Sequence, residues 1–175
     1  MIIDFSRILS TKDKVETFDV ELEMDYFELM STKYRIIEKQ PVHLVLSNIG
    51  KKQLSIEAVI DVTLDIPCDR CLSDVETRIF VTASKRIDLS DNPADEEAED
   101  DYTVYIEGTD FSVEKFVYGE ILVNLPMKVL CDDNCKGICN RCGTNLNHGS
   151  CGCDTTELDP RMAKALEVFN SFKEV

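Results

Sequence analysis

Several things that whole classes of protein depend on are scarce in this chain. With only 7 glycines and 5 prolines in 175 residues, it is not collagen-like, linker-rich or of low complexity. Histidine occurs twice, as His43 and His148, which leaves little imidazole for acid–base chemistry. No apolar run approaches the ~20 residues that cross a bilayer. The start, Met1-Ile-Ile-Asp-Phe-Ser-Arg, carries an acid where a secretory leader has basic and apolar regions, so a cytoplasmic protein with no membrane partner is expected. No GxGxxG, Walker loop or GxSxG is present, and no motif identifies a small-molecule substrate. Basic residues are outnumbered, 19 Lys and Arg against 34 Asp and Glu, for a formal charge of -15. Such a surface repels nucleic acid and anionic membrane and attracts basic partners.

What is present reads first as β structure. From Gln53 to Pro67, Leu54, Ile56, Ala58, Ile60, Val62, Leu64 and Ile66 fall on one face at strand period, and Val75 to Ile87 repeats the pattern. The two runs form a long antiparallel hairpin with Cys68-Asp-Arg-Cys71 at its tip. Phe18 to Leu29 alternates as well, as do Val42, Leu44 and Leu46, which end in a turn-like Ser47-Asn48-Ile49-Gly50. Seven acids and no base between Asp91 and Asp101 predict a solvated loop, or a lure for a basic partner. Strand alternation returns from Tyr102 to Ile106. Val113, Phe116, Val117, Ile121 and the flanking Leu122 predict a helix from Ser112 to Asn124, capped by Asp110 or Ser112 and stopped at Pro126. Asp159-Pro160-Arg161 opens a closing helix that packs through Met162, Ala165, Leu166 and Phe169. The fold class expected is α+β: a mainly antiparallel sheet with a packed helix, a C-terminal zinc knuckle and the closing helix. The β-rich body spans 1–130, a cysteine-rich segment 131–154 and the last helix 155–175, in one compact unit.

The eight cysteines carry the chemistry. Cys68, Cys71, Cys131, Cys135, Cys139, Cys142, Cys151 and Cys153 are two sets of four, the number a structural zinc takes. In a reducing compartment clustered thiols hold metal more readily than disulfides. Gly143, directly after Cys142, permits the left-handed turn that aims N–H groups at sulfur. The expected pairing is local for Cys139, Cys142, Cys151 and Cys153. Cys68 and Cys71 would join Cys131 and Cys135 across the chain, giving two zinc ions. Moving Cys131 or Cys135 into the C-terminal set is the alternative, and it leaves Cys68 and Cys71 short of ligands. A redox role for Cys68 and Cys71 would need a helix N-terminus, and strands flank them. Four-thiolate sites are closed, which argues against a catalytic zinc.

Taken together, Cys68-Asp-Arg70-Cys71, the run Cys131-Asp-Asp-Asn-Cys135-Lys-Gly137-Ile-Cys139-Asn-Arg-Cys142-Gly143-Thr-Asn145-Leu146-Asn147, Cys151-Gly-Cys153 and Asp159-Pro160-Arg161 resemble the YceD family, the large ribosomal RNA subunit accumulation proteins. The resemblance covers roughly Ile60 to Phe169. It implies a bacterial or plastid factor needed for accumulation or processing of the large-subunit ribosomal RNA, with no established enzymatic activity. Some relatives keep the first cysteine pairs and lack the knuckle, as two separate zinc sites would allow.

The implied RNA connection meets an acidic chain, so the partner is either a basic large-subunit ribosomal protein or the rRNA precursor itself. Candidate contacts are Arg70 and the basic stretch holding Lys33, Arg35, Lys39, Lys51 and Lys52. Each has a plainer role, Arg70 in balancing thiolate charge and the lysines on a solvated hairpin. A non-catalytic factor is expected; the rival is a zinc- or thiol-dependent enzyme acting on RNA or protein.

Overall fold

The computed structural model of the chain describes residues 1–50, 52–89 and 104–153, with 162, 164 and 169. Along it run β1 (Ile2–Asp4), α1 (Ser6–Leu9), β2 (Val15–Val20), β3 (Tyr26–Leu29), β4 (Thr32–Lys39) and β5 (Val42–Gly50). There follow β6 (Gln53–Pro67), β7 (Asp74–Asp88), β8 (Ile106–Glu107), β9 (Asp110–Ser112) and α2 (Val113–Asn124). None of the described helices is long and apolar enough to cross a membrane.

The organising element is the β6–β7 hairpin, paired without a break from Gln53↔Asp88 to Pro67↔Asp74. A strand has two edges, and β6 gives the whole of one to β7. Its other edge takes β5 against residues 53–59 and β4 against residues 62–65. β4 and β5 are therefore one long strand interrupted at Gln40-Pro41, where Gln40 N–H still reaches the Asp61 carbonyl at 3.0 Å and Pro41 has no N–H to offer. β2 lies against β5 and β3 against β4, so they form a fourth strand broken at residues 21–25. The alternation expected from Phe18 to Leu29 is thus two strands, although Leu22 is still buried between them. The sheet is in effect a four-legged antiparallel meander. A register shift at Ile36/Glu38 turns Ile37 outward.

One face of this sheet is the core. Leu54, Ile56, Ala58, Ile60, Val62, Leu64 and Ile66 are all buried, together with Ile79, Val81, Ala83 and Ile87 of β7. Helix α2 covers them with Val113, Phe116, Val117 and Ile121, while Leu122, expected to flank the stripe, faces solvent. Ser112 occupies the N-cap position, but its side chain makes no capping hydrogen bond. A salt bridge from Lys85 to the buried Glu120 (2.8 Å) ties the helix to β7, and Tyr118 Oη donates to the Glu28 carbonyl (2.8 Å) to tie it to β3.

Two short segments differ from their sequence expectation. Ser47-Asn48-Ile49-Gly50 finishes β5 rather than forming a turn, because the Asn48 amide donates to the carbonyls of Ile8, Leu9 and Thr11 at 2.9–3.1 Å. These include acceptors that the short helix α1 leaves open, and losing the amide costs about 1–3 kcal/mol for each acceptor stranded. Of the strand expected at Tyr102 to Ile106, Tyr102 and Thr103 lie outside the described residues, and the strand described is Ile106–Glu107, preceded by Tyr105, which turns inward onto Phe111 and Phe116 at ring distances of 5.8 and 5.2 Å. The acidic run Asp91 to Asp101 lies outside the described residues. So does most of the closing helix expected over 155–175; within it Met162 and Phe169 are helical and exposed.

Candidate metal centres

Each four-cysteine site begins with a tight turn. At the hairpin tip the N–H of Cys68 donates to the Ser73 carbonyl (2.8 Å) and that of Leu72 to the Cys68 carbonyl (2.9 Å), which turns both Cys68 and Cys71 toward one side. The segment leaving α2 is clamped to that tip from both directions. Asp69 N–H donates to the Val129 carbonyl (2.9 Å), and Val129 N–H donates to Asp69 Oδ2 (2.8 Å). Cys131 and Cys135 follow directly. The four sulfurs of Cys68, Cys71, Cys131 and Cys135 lie within 4.8 Å of one another. Cys71 and Cys131 approach to 3.4 Å, and Cys68 and Cys135 to 3.8 Å. A tetrahedron of thiolates about 2.3 Å from a zinc ion has edges of about 3.8 Å, so the spacing suits a metal of that size.

The second group is local. Cys139, Cys142, Cys151 and Cys153 also bring their sulfurs within 4.8 Å of one another. Gly143 takes the expected left-handed conformation (φ +72°), and its N–H donates to the Cys139 carbonyl at 2.9 Å. Cys142 Sγ meets the Thr144 hydroxyl at 3.1 Å. An antiparallel bridge, Ile138↔Asn145, closes the ribbon.

Burial separates the two. Cys68, Cys71 and Cys135 are buried and only Cys131 of the first group is exposed. In the second group only Cys139 is buried. Burial pushes the Cys68 thiol up, but N–H groups of Arg70, Cys131 and Cys71 outweigh it and bring it down to about 6. Cys71 is lowered by the Ser73 hydroxyl and N–H. Cys142 is lowered to about 6 by the Thr144 hydroxyl and N–H. Cys131, sharing protons with Cys71 and Cys135, is pushed up to about 12, and Cys153, sharing with Cys142, likewise to about 12. Each group therefore gives up its first protons readily and holds the last, as expected where four like charges converge. A divalent ion at the centre resolves that repulsion.

Several residues that build the sites carried no recognised role in the sequence. Gly137 (φ +77°) passes so close to the tip that a Cβ there would stand 3.0 Å from the Arg70 carbonyl oxygen. Asn147, within the second group's loop, donates from Nδ2 to Cys135 Sγ of the first (3.2 Å) and accepts at Oδ1 from Lys136 N–H (2.7 Å). Asn145 donates to the Ser73 hydroxyl (3.3 Å), which is itself 3.4 Å from Cys71 Sγ. All but Ser73 fall within the cysteine-bearing motifs, but only their contacts reveal the work they do. The two groups are separate sites joined by two asparagines.

The basic candidates do not gather into one patch. Arg70 Nη1 donates to the Cys135 carbonyl at 2.8 Å, fastening the tip to the second ligand pair. Lys33 is paired with Glu28, whose hydrogen bond and charge raise the ammonium pKa. Lys39 Nζ donates to Asp25 Oδ1 (3.0 Å) and the Met24 carbonyl (3.1 Å). Arg35 is exposed opposite Tyr26 and Asp65. Lys52 sits in the β5–β6 turn at the other end of the sheet, roughly 40 Å of strand away. It shares an open cleft of about 530 Å³ with Lys12, and among the described residues no acid lines that cleft. Lys51 lies outside the described residues.

Comparison with known proteins adds relatives. Over 101 residues the chain is 30% identical to uncharacterised proteins of Mycobacterium tuberculosis and Mycobacterium bovis, covering 58% of this chain and 48% of theirs. It is 24% identical over 137 residues to the chloroplastic large ribosomal RNA subunit accumulation protein YCED homolog 1 of Arabidopsis thaliana, covering 62% of this chain and 42% of that one. The chain thus spans about half the length, or less, of these relatives. No solved structure matches it. A family model described as large ribosomal RNA subunit accumulation protein YceD matches residues 56–169, which take in most of the long hairpin, α2 and both cysteine groups. The chain belongs to the YceD family.

Proposed function

We propose that this chain is a non-catalytic factor in large ribosomal subunit biogenesis, that each cysteine group holds one zinc ion, and that the acidic body binds a basic large-subunit protein. The observation that carries the biogenesis role is the family match over residues 56–169, because that span contains every one of the eight cysteines. Zinc is favoured over other metals by the ligand set, four thiolates at tetrahedral spacing with no carboxylate or imidazole among them. Four thiolates also complete its coordination, leaving no position for substrate, which supports a structural use.

The protein partner follows from charge. At -15 the chain meets a basic polypeptide with favourable steering, and two zinc ions held by eight thiolates make the field more negative still. Lys33, Lys39 and Arg70 already have partners within the chain. Direct rRNA contact is the second reading, and the cleft holding Lys12 and Lys52 is what favours it.

Affinity capture of the tagged protein from its own cells at near-physiological salt, with and without nuclease, tests this. A basic large-subunit protein that stays bound after nuclease is the expected result. Recovery of large-subunit rRNA, with every partner lost on nuclease treatment, would replace the protein partner by RNA. A thiol that reacts in the native, metal-filled protein would revive the enzyme reading.

A further inference from the structure

Four exposed apolar side chains from three segments converge on the end of the sheet that carries the first cysteine group. Leu72 (64% exposed) lies in the hairpin tip itself. Met30 (98% exposed) lies in the β3–β4 turn, which the register Arg35↔Asp65 places beyond Asp65, level with that tip. Val123 (80%) lies in the last turn of α2 and Met127 (102%) follows the helix. The paired bonds between Asp69 and Val129 draw this stretch to the tip, and the bond from Tyr118 to Glu28 holds α2 against the hairpin carrying Met30.

Two of the four are in a conformation that their side chains disfavour. Met30 (φ +54°) and Leu72 (φ +59°) occupy the left-handed region, where glycine or asparagine sits with less strain. Neither side chain is in the core, so neither repays that strain by packing within the chain. Exposed apolar groups concentrated in one region mark interaction surfaces, and local strain gathers at such places.

Charge selects the occupant. A second copy would bring -15 against -15, and anionic lipid or nucleic acid would meet the same repulsion. Around the tip Asp69, Asp74, Asp132 and Asp133 are exposed, against Arg70, Lys128 and Lys136, so the acidic excess there is one charge on a chain of -15. We infer that this apolar end, formed by Met30, Leu72, Val123 and Met127 on a chain of net charge -15, docks a basic polypeptide through that partner's apolar side chains. The inference rests on the protein-partner reading above and names the surface it uses.

The test immobilises the full chain and offers it RNA-free protein stripped by high salt from purified large ribosomal subunits, with bound proteins identified by mass spectrometry. Wild type is expected to retain a basic large-subunit protein. Met30→Asn/Leu72→Asn is expected to retain it at least tenfold less, with a thermal midpoint equal to or above wild type because asparagine relieves the backbone. Val123→Gln/Met127→Gln should lose binding in the same way. Equal retention by wild type and both variants overturns the surface and leaves the protein-partner reading standing. A lowered midpoint in the asparagine variant overturns it too, by showing those side chains support the fold. Sedimentation showing a wild-type dimer that the variants dissolve would make the occupant a second copy. If wild type retains no large-subunit protein, the reading beneath fails and the surface with it.

Discussion

The two cysteine groups contain the same four ligands and are built in opposite ways. The first joins segments 60 residues apart, Cys71 to Cys131, and is nearly all buried against the end of the sheet. The second is drawn from one short ribbon, closed by a glycine turn and a single bridge, with only one of its four cysteines buried. Identical donor sets thus do different mechanical jobs. With the proposed zinc in each, the first would fix where α2 leaves the sheet, and the second would give a core-poor ribbon a reason to fold.

The largest effect expected from this contrast comes from breaking the first group. Cys68→Ser should lose one zinc and leave the second filled, lowering stability by about 4 kcal/mol, the entropy of a cross-link over a loop of that length. Metal content with a urea melt checks it, and loss of both ions would show the groups to be one site. Cys142→Ser should also lose one zinc, yet shift the main melt of the sheet by no more than about 0.5 kcal/mol, since its loop closes on itself. Acid should sharpen the difference. Protons compete with metal for thiolate, so occupancy falls as pH falls, and the solvent-open second group should empty at the higher pH. A chromogenic chelator followed during stepwise acidification reads this directly; simultaneous release would contradict it.

Smaller effects probe the asparagine bridge. Asn147→Ala removes a donor to Cys135 Sγ while leaving all eight ligands, and should weaken zinc binding at the first group by about 10- to 100-fold, read as faster release, as loss of outer-shell partners typically does. Unchanged release would make the groups independent. Arg70→Ala should cost about 1 kcal/mol through its bond to the Cys135 carbonyl, measured by the same melt.

Much of this design was legible in the sequence because period and spacing are local signals. β6 runs over Gln53–Pro67 as its alternation predicts, and α2 covers Val113–Asn124 because Phe116, Val117 and Ile121 repeat at helical spacing. Spacing and the need for four ligands also suggested which sulfurs meet, with the placing of Cys131 and Cys135 left open until their sulfurs are seen beside Cys68 and Cys71. What escaped notice depends on contacts between distant segments. Asn48 looks like a turn residue until α1 is seen to need its amide, and Asn147 like a loop residue until Cys135 is seen beneath it. The break at Pro41 reads as a strand end, whereas the register shows one strand continuing past it. Exposed Met30 and Leu72 show no pattern at all along the chain.

Native mass spectrometry of the protein purified with zinc present tests the central claim most directly. Two zinc ions per wild-type chain and one in Cys68→Ser are predicted. A wild-type chain carrying a single ion, or none with its thiols joined as disulfides, would contradict it.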